Sequence, residues 1–471
     1  MSRPQFIAAH FEHLIKTGII RAGEKMPSFR KVASEHNVCL SIAQQSYILL
    51  ENKKMIVSRG RSGYYVARAT AKNPLSIKTH PLSKPVEIAY SDRFKILHNL
   101  YFFKNILTST HERSYLPQNI HNQLSKRISN ALRLGIPDIQ QNESVLGLKE
   151  LRQQISIMLN NNGLMVPADK IVITSGYHNA LYMALLAQCS PGDTVVVESP
   201  TSWGTLLMLR FMKLKVIEVA TSSEEGLCLS SLKSVLEKWP VKVLLVTPNS
   251  NNPMGFIMPD VNKQQLITLA KAFSCRIIED DTYRDLIGAV SRPRTIKSFD
   301  TQDHVILCGS LSRTVSSELK IGWIISGELQ SSIIKMKLAT LGTTSPLMQL
   351  AAANLLASGL YQRHVQKTIK LCQHSQVQYI RVIEKYFPLE ARTTTPMGNG
   401  YLWVVFPEKI NTDKILHNEM GLNINFLTGV VFSASGRYHN CMRIDCLNPL
   451  TTHTMEMLKR IGQEIAARLY V

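Results

Sequence analysis

The sequence predicts a multi-domain chain: an N-terminal winged helix-turn-helix, then an α/β domain on a mostly parallel sheet, then a smaller C-terminal α+β domain. Three observations carry this. The 471 residues exceed what one core ordinarily organises. Residues 1–68 hold three helical patterns followed by two short β segments. From about residue 120, apolar strands and helices alternate, the signature of βαβ units.

In the head, Ile7, Phe11, Leu14 and Ile15 recur at helical spacing, and Arg21-Ala22-Gly23-Glu24 ends that helix. Ser28 is placed to cap a second helix. After the turn His36-Asn37-Val38, a third helix runs over about 41–53 with Ala43, Tyr47 and Leu50 facing inward. The basic turn 59–63 then joins segments 55–58 and 64–66 as a hairpin.

Residues 69–88 hold three prolines and little periodicity, which predicts a linker. Residues 89–330 form the large domain with an N-terminal arm. Its helix–strand pairs are 148–159 with 170–174, 179–188 with 194–198, 206–212 with 215–219, 229–238 with 242–247, and 263–273 with 276–279. Strands at 305–307 and 321–326 close the series. Residues 331–471 make the small domain, with strands at 400–406, 430–433 and 441–445.

The formal charge is 54 − 34 = +20, which points to a polyanionic partner, nucleic acid first and an anionic membrane surface second. Residues 1–72 alone carry 12 − 4 = +8. The eight cysteines are scattered without metal spacing, so reduced thiols and no metal are expected. The N-terminus lacks an apolar signal core and no apolar run nears the ~20 residues that span a bilayer, so a soluble cytoplasmic protein is expected.

In a helix-turn-helix the second helix of the motif enters the major groove while phosphate contacts set its register. Outward positions there are Leu40, Ser41, Gln44, Gln45 and Ile48. A glutamine amide pairs bidentately with adenine, so Gln44 and Gln45 are the base-reading candidates. Ser28 and Arg30 suit phosphate, and Arg59 and Arg61, with Gly63 in the same turn, suit phosphate or the adjacent minor groove. The expected partner is double-stranded operator DNA. The run RAGEKMPSFRKVASEHNV…YILLENKKMIVSRGRSGYYV resembles the GntR-type winged helix, with Cys39-Leu40 where that family usually has Ser-Arg.

Four segments of the α/β region belong together. Thr174-Ser175-Gly176-Tyr177-His178-Asn179 leaves a strand and opens a helix, a place for a phosphate. Asn249-Ser250-Asn251-Asn252-Pro253-Met254-Gly255, Glu279-Asp280-Asp281-Thr282-Tyr283 and Gly309-Ser310-Leu311-Ser312-Arg313 each follow a strand, where open α/β sheets place ligands. In this order they resemble fold-type I pyridoxal-phosphate enzymes of the aminotransferase class I group. With the GntR-type head, the chain is similar over nearly its whole length to MocR-type transcriptional regulators.

The resemblance implies that Gly176, Tyr177, His178, Ser310 and Lys320 face the cofactor's phosphate and that Ser312 belongs to the same degenerate pocket. It implies that Asn252 and Tyr283 hold its phenolic oxygen and that Asp280 pairs with its pyridine nitrogen. Arg443 matches a substrate- or effector-carboxylate clamp, although a surface ion pair with Asp445 explains it as well. Trp203 is the aromatic nearest the position that stacks on the ring. Asn142, Met254 and Ser202 depart from the family's usual Tyr, Thr and aromatic.

The main departure is Arg313, which stands where the family's Schiff-base lysine belongs. Lysine serves because its amine can lose a proton and attack an aldehyde. A guanidinium stays protonated. The expectation is therefore a DNA-binding pseudoenzyme: a homodimer with a catalytically dead, effector-sensing domain and no catalytic residues. Pyridoxal 5'-phosphate, if held, is held otherwise than as a lysine aldimine. The alternatives are an active aminotransferase using another lysine such as Lys320, and a regulator whose pocket takes no cofactor.

Overall fold

The computed structural model describes residues 3–16, 20, 25–53, 55–58, 63–66, 84–88, 118–133, 144–287, 292–394, 396–420, 426–447 and 449–469. The chain divides into two compact units, Met1–Asn73 and Pro74–Val471.

In the first unit, α1 (Arg3–Lys16), α2 (Phe29–Glu35) and α3 (Leu40–Asn52) precede a hairpin of β1 (Ile56–Ser58) and β2 (Tyr64–Val66). The hairpin is antiparallel, with Val57 opposite Tyr65. The inward stripes meet in one small core of Ile7, Phe11, Val32, Ala43, Tyr47, Leu50, Ile56 and Val66. Burying these side chains is the principal force holding the three helices together. Tyr47 donates its hydroxyl to the Pro27 carbonyl at 2.8 Å, tying α3 to the entry of α2. Ser28 caps α2 by accepting from the Lys31 amide, as the sequence predicts. Cys39 stands at the cap of α3 with extended backbone and no side-chain capping bond, its thiol 3.0 Å from the Ser41 hydroxyl.

The second unit is built on a nine-stranded sheet. Its strands are β3 (Val86–Glu87), β4 (Val172–Thr174), β5 (Thr194–Ser199), β6 (Lys215–Ser222), β7 (Gly226–Leu227), β8 (Val243–Val246), β9 (Arg276–Asp280), β10 (Val305–Ser310) and β11 (Gly322–Ile325). They lie in the order β3-β6-β5-β8-β9-β10-β11-β4, with β7 on β6. The central pairs from β6 to β10 are parallel; β10–β11, β11–β4 and β3–β6 are antiparallel. The central strands are buried residue after residue, as sheets covered on both faces require. The covering helices that matter for the site are α4 (Gln118–Arg133), α5 (Lys149–Asn160), α6 (Tyr177–Leu186) and α7 (Trp203–Phe211). α8 (Leu229–Lys238) and α9 (Asp260–Ala272) complete the series.

Toward the C-terminus come α10 (Gln330–Thr340), α11 (Pro346–Ala357), the long α12 (Leu360–Tyr386), α13 (Thr412–Met420) and α14 (Thr452–Leu469). The strands β12 (Arg392–Thr393), β13 (Tyr401–Val405), β14 (Phe426–Thr428) and β15 (Cys441–Asp445) form an antiparallel sheet in the order β12-β13-β15-β14.

Three expectations are corrected. The linker does not extend to 88, because β3 pairs with β6 at the sheet edge and Ile88 joins the main core. The small domain does not begin at 331: Ala352, Leu355, Tyr361, Val365 and Ile369 pack in one cluster with Leu151 and Ile171 of the large domain. The separate small-domain core begins at Tyr379, part-way along α12. The expected strand at 430–433 is a 3₁₀ turn, Gly429–Phe432, and the paired strand lies just before it at β14. A short buried apolar run does not distinguish a ladder from a packed turn.

Candidate functional site

The predicted pocket residues come from loops at one end of the sheet. Asp280 ends β9 beside Cys308 of β10, and Ser310 ends β10. Gly176 caps α6 at φ +84°, backbone that glycine tolerates and other residues rarely adopt. A Cβ there would lie 3.8 Å from the Ser312 hydroxyl and 3.9 Å from the Lys320 backbone, so the two loops flank the start of α6. Gly322 is required next to it, because a Cβ would stand 2.6 Å from the Gly176 carbonyl carbon.

Asp280 is buried and accepts from the Thr282 amide at 3.0 Å and the Thr282 hydroxyl at 2.6 Å. Tyr177 also bonds to it. Burial raises its carboxyl above the usual range, and these donors work against that shift. Burial and then the Asp280 charge push the Tyr177 hydroxyl up, so it is a donor at neutral pH. Asn252 donates to the Tyr283 hydroxyl at 3.4 Å and accepts from Arg443 at 3.2 Å.

Arg443 is buried at 2 % exposure, which rules out a surface ion pair. Its guanidinium lies 4.2 Å from the Tyr401 ring centroid and 5.1 Å from that of Phe432. Arg313 lies 5.2 Å from the Tyr283 centroid, a cation–π placement. Burial raises the Asp445 carboxyl, and the charges of Arg443 and Arg313 both oppose that. Two guanidinium groups, the edge-to-face pair Tyr283–Tyr401 and a shared carboxylate thus converge beside Asp280.

Ser310 sits within the loop's own network, donating to the Ile321 carbonyl at 2.9 Å with the Ser312 hydroxyl 2.7 Å away. Lys320 has left-handed backbone at φ +50° and an exposed side chain. Trp203 opens α7 and packs against the large core, while His178 is exposed with its ring against Gly204. Asn142 lies outside the described residues. Sequence reading missed Tyr401, Phe432, Thr282 and Asp445 as pocket residues. Thr282 alone carried a local signal, a hydroxyl two residues after Asp280, where a short side-chain turn closes.

The donor set suits pyridoxal phosphate. Asp280 would hold a protonated ring nitrogen, and Asn252 and Tyr283 the phenolic oxygen. Gly176, Tyr177, Ser310, Ser312 and Lys320 would surround the phosphate. Among the described residues no His/Cys/Asp/Glu cluster could hold a metal ion, and no helix is long and apolar enough to cross a membrane.

On the head, Leu40, Ser41, Gln44, Gln45 and Ile48 are all exposed along α3, and Ser28 and Arg30 are exposed at the start of α2. Gly63 leads into β2 at φ +99°. Arg59 and Arg61 lie outside the described residues.

Residues 115–461 match the family model for aminotransferase class I and II, and residues 4–66 match that for bacterial regulatory proteins of the gntR family. An uncharacterized HTH-type transcriptional regulator of Escherichia coli, YjiR, is 37% identical over 99% of both chains. A second from Escherichia coli, YdcR, is 28% identical over the full length of both. Among solved structures, the Pyrococcus horikoshii kynurenine aminotransferase superposes with a TM-score of 0.71 at 23% identity, covering 81% of this chain and 96% of that one.

Proposed function

Because the chain belongs to the aminotransferase class I and II family and carries a gntR-type regulatory head, we propose that it is a cytoplasmic, DNA-binding transcriptional regulator. In this reading its aminotransferase-like unit senses an effector and dimerises without catalysing transamination. The observation that carries the reading is Arg313, on the loop after β10, with its guanidinium over Tyr283. That loop position calls for an amine able to lose its proton, and a guanidinium cannot.

Among the described residues, the other lysines are poor substitutes. Lys320 is exposed, and the buried Lys263, Lys297 and Lys337 are bonded to Asn249, Asp300 and the Val145 carbonyl. Bound pyridoxal phosphate supplies an electron-withdrawing ring and an aldehyde. The residues here would orient that ring: Asp280 balances a pyridinium proton, and Tyr177, bonded to Asp280, steadies the carboxylate. Arg443 offers a planar fork to an effector carboxylate, already oriented by Asn252. Binding energy gained in the pocket then biases the paired heads toward or away from an operator.

The test is a titration of the purified full-length protein with pyridoxal phosphate, followed by borohydride. Saturable calorimetric binding with no lysine trapped by mass spectrometry is expected. A trapped lysine, with turnover of an amino acid, would establish an active enzyme instead. No binding of the cofactor or of phosphopyridoxyl amino-acid adducts would leave a regulator with an empty pocket.

A further inference from the structure

We propose that α3 reads thymine as well as adenine: Leu40 and Ile48 seat against thymine 5-methyl groups in the major groove on either side of Gln44, so the operator half-site is A·T-rich beneath this helix. The inference rests on the DNA-binding reading of the head and specifies which bases the head takes.

Leu40, Gln44 and Ile48 are spaced four residues apart, so they line one row along the helix. All three are exposed, Leu40 at 52 % and Ile48 at 46 %. The row beside it, Ser41 and Gln45, is exposed and polar. The opposite side, Ala43, Ser46, Tyr47 and Leu50, is spent on the head's own core. Two large aliphatic side chains are thus displayed on the face that also carries the amides able to pair with adenine.

Two features of the head favour nucleic acid as the occupant over an apolar protein surface. Its charge of 12 − 4 = +8 over residues 1–72 attracts phosphate. The aliphatics alternate with hydrogen-bonding side chains, whereas an apolar protein partner would leave Gln44 and Gln45 buried without base edges to bond. In the major groove an A·T pair offers both chemistries at once, the adenine N6/N7 pair for an amide and the thymine methyl for an aliphatic group. Leu40 and Ile48 stand about 12 Å apart along the axis, a span of three to four base-pair steps. The polar pair that the GntR pattern places at the start of this helix would read differently; here the position is Cys39-Leu40.

Operator half-sites selected from a random DNA pool by the full-length protein should hold A·T pairs at the α3 contact. Replacing each thymine there by uracil removes one methyl and nothing else. Two such replacements, three to four base pairs apart, should each weaken binding about 3–4-fold, the worth of one buried methyl-sized group. Leu40→Ala should abolish one sensitivity and Ile48→Ala the other, with circular dichroism showing each variant folded. Gln44→Ala should relax the adenine preference and leave both uracil effects in place.

A selected G·C-rich core, or uracil substitution without effect on the unaltered protein, would overturn the inference while leaving DNA binding intact. So would a Leu40→Ala, Ile48→Ala variant that keeps its sequence preference but loses oligomeric mass, since the pair would then be a protein contact. Failure to bind any DNA would take down the regulator reading itself.

Discussion

Arg443 donates to the side-chain oxygen of Asn252 at 3.2 Å, joining residues 191 positions apart. The bond links the small sheet to the loop after β8, and through Asn252 it reaches the Tyr283 hydroxyl. Arg443, Asn252 and Tyr283 are therefore one polar chain, which would join the proposed carboxylate fork to the proposed ring-oxygen site. Asn252→Ala should lower stability by about 2 kcal/mol, the usual worth of a bond to a charged group. It should also weaken pyridoxal phosphate binding; thermal melts and calorimetry on the same samples check both.

Arg313→Lys places an amine on the loop after β10. The variant should gain a visible absorbance band with pyridoxal phosphate and a borohydride-stable mass adduct on the peptide that carries position 313. The unaltered protein should show neither. A variant that stays colourless would mean that the pocket lacks the geometry to present an aldehyde to position 313.

DNA binding should be steeply salt-dependent. Arg30, Arg59 and Arg61 from each of two heads would make six phosphate contacts, so affinity should fall about 10³-fold between 50 and 200 mM salt. Fluorescence anisotropy at several salt concentrations gives the slope, and Arg30→Ala should make it shallower. A flat response would exclude groove docking.

The cap of α3 can be improved. Cys39 has the extended backbone of a capping residue, φ −73° and ψ 159°, yet makes no side-chain capping bond; its thiol pairs instead with the Ser41 hydroxyl at 3.0 Å. Cys39→Ser should slow hydrogen exchange in the first turn of α3 by the equivalent of about 1 kcal/mol. Ser28→Ala should do the reverse at α2, where the native serine does cap.

Stability should fall from mildly acidic to mildly basic pH. Glu198 is buried; its Oε2 accepts from the Thr247 amide and Asn251, while Oε1 finds no partner among the described residues. Burial pushes its carboxyl from 4.5 up to about 8. Below 4.5 the folded and unfolded chains both hold the proton and no penalty arises. Between 4.5 and about 8 the unfolded chain releases it while the folded one keeps it, so stability drains away as pH rises. Glu198→Gln keeps an acceptor toward Thr247 and Asn251 and cannot ionise. Its melting temperature relative to the unaltered protein should climb from pH 5 to pH 8.

Much of this architecture is local and was legible. The α3 face followed from spacing alone: Ala43, Tyr47 and Leu50 are buried, while Leu40, Gln44, Gln45 and Ile48 are exposed. Asp280 and Gly176 lie at or just past strand ends close to where the pattern placed them, while β10 runs three residues past the expected 307 to end on Ser310. The edge strand Val86–Glu87 was not legible, because two residues among prolines carry no period and pair only because β6 offers an unpaired edge. Tyr401 and Phe432 gave no sign of facing Arg443, since an apolar residue in a strand reads as core whether or not a guanidinium lies over it.

The order of elements, the polar loops after the strands and the identity of Arg313 can all be read from the chain before it folds. Each of these is a property of neighbouring residues or of one side chain's chemistry. Folding alone brings Arg443 into burial on Asn252, sets Arg313 and Arg443 both against Asp445, and runs α12 from one core into another. Those meetings join residues far apart in the chain, and local periodicity holds no record of which distant side chain will occupy a neighbour's open face.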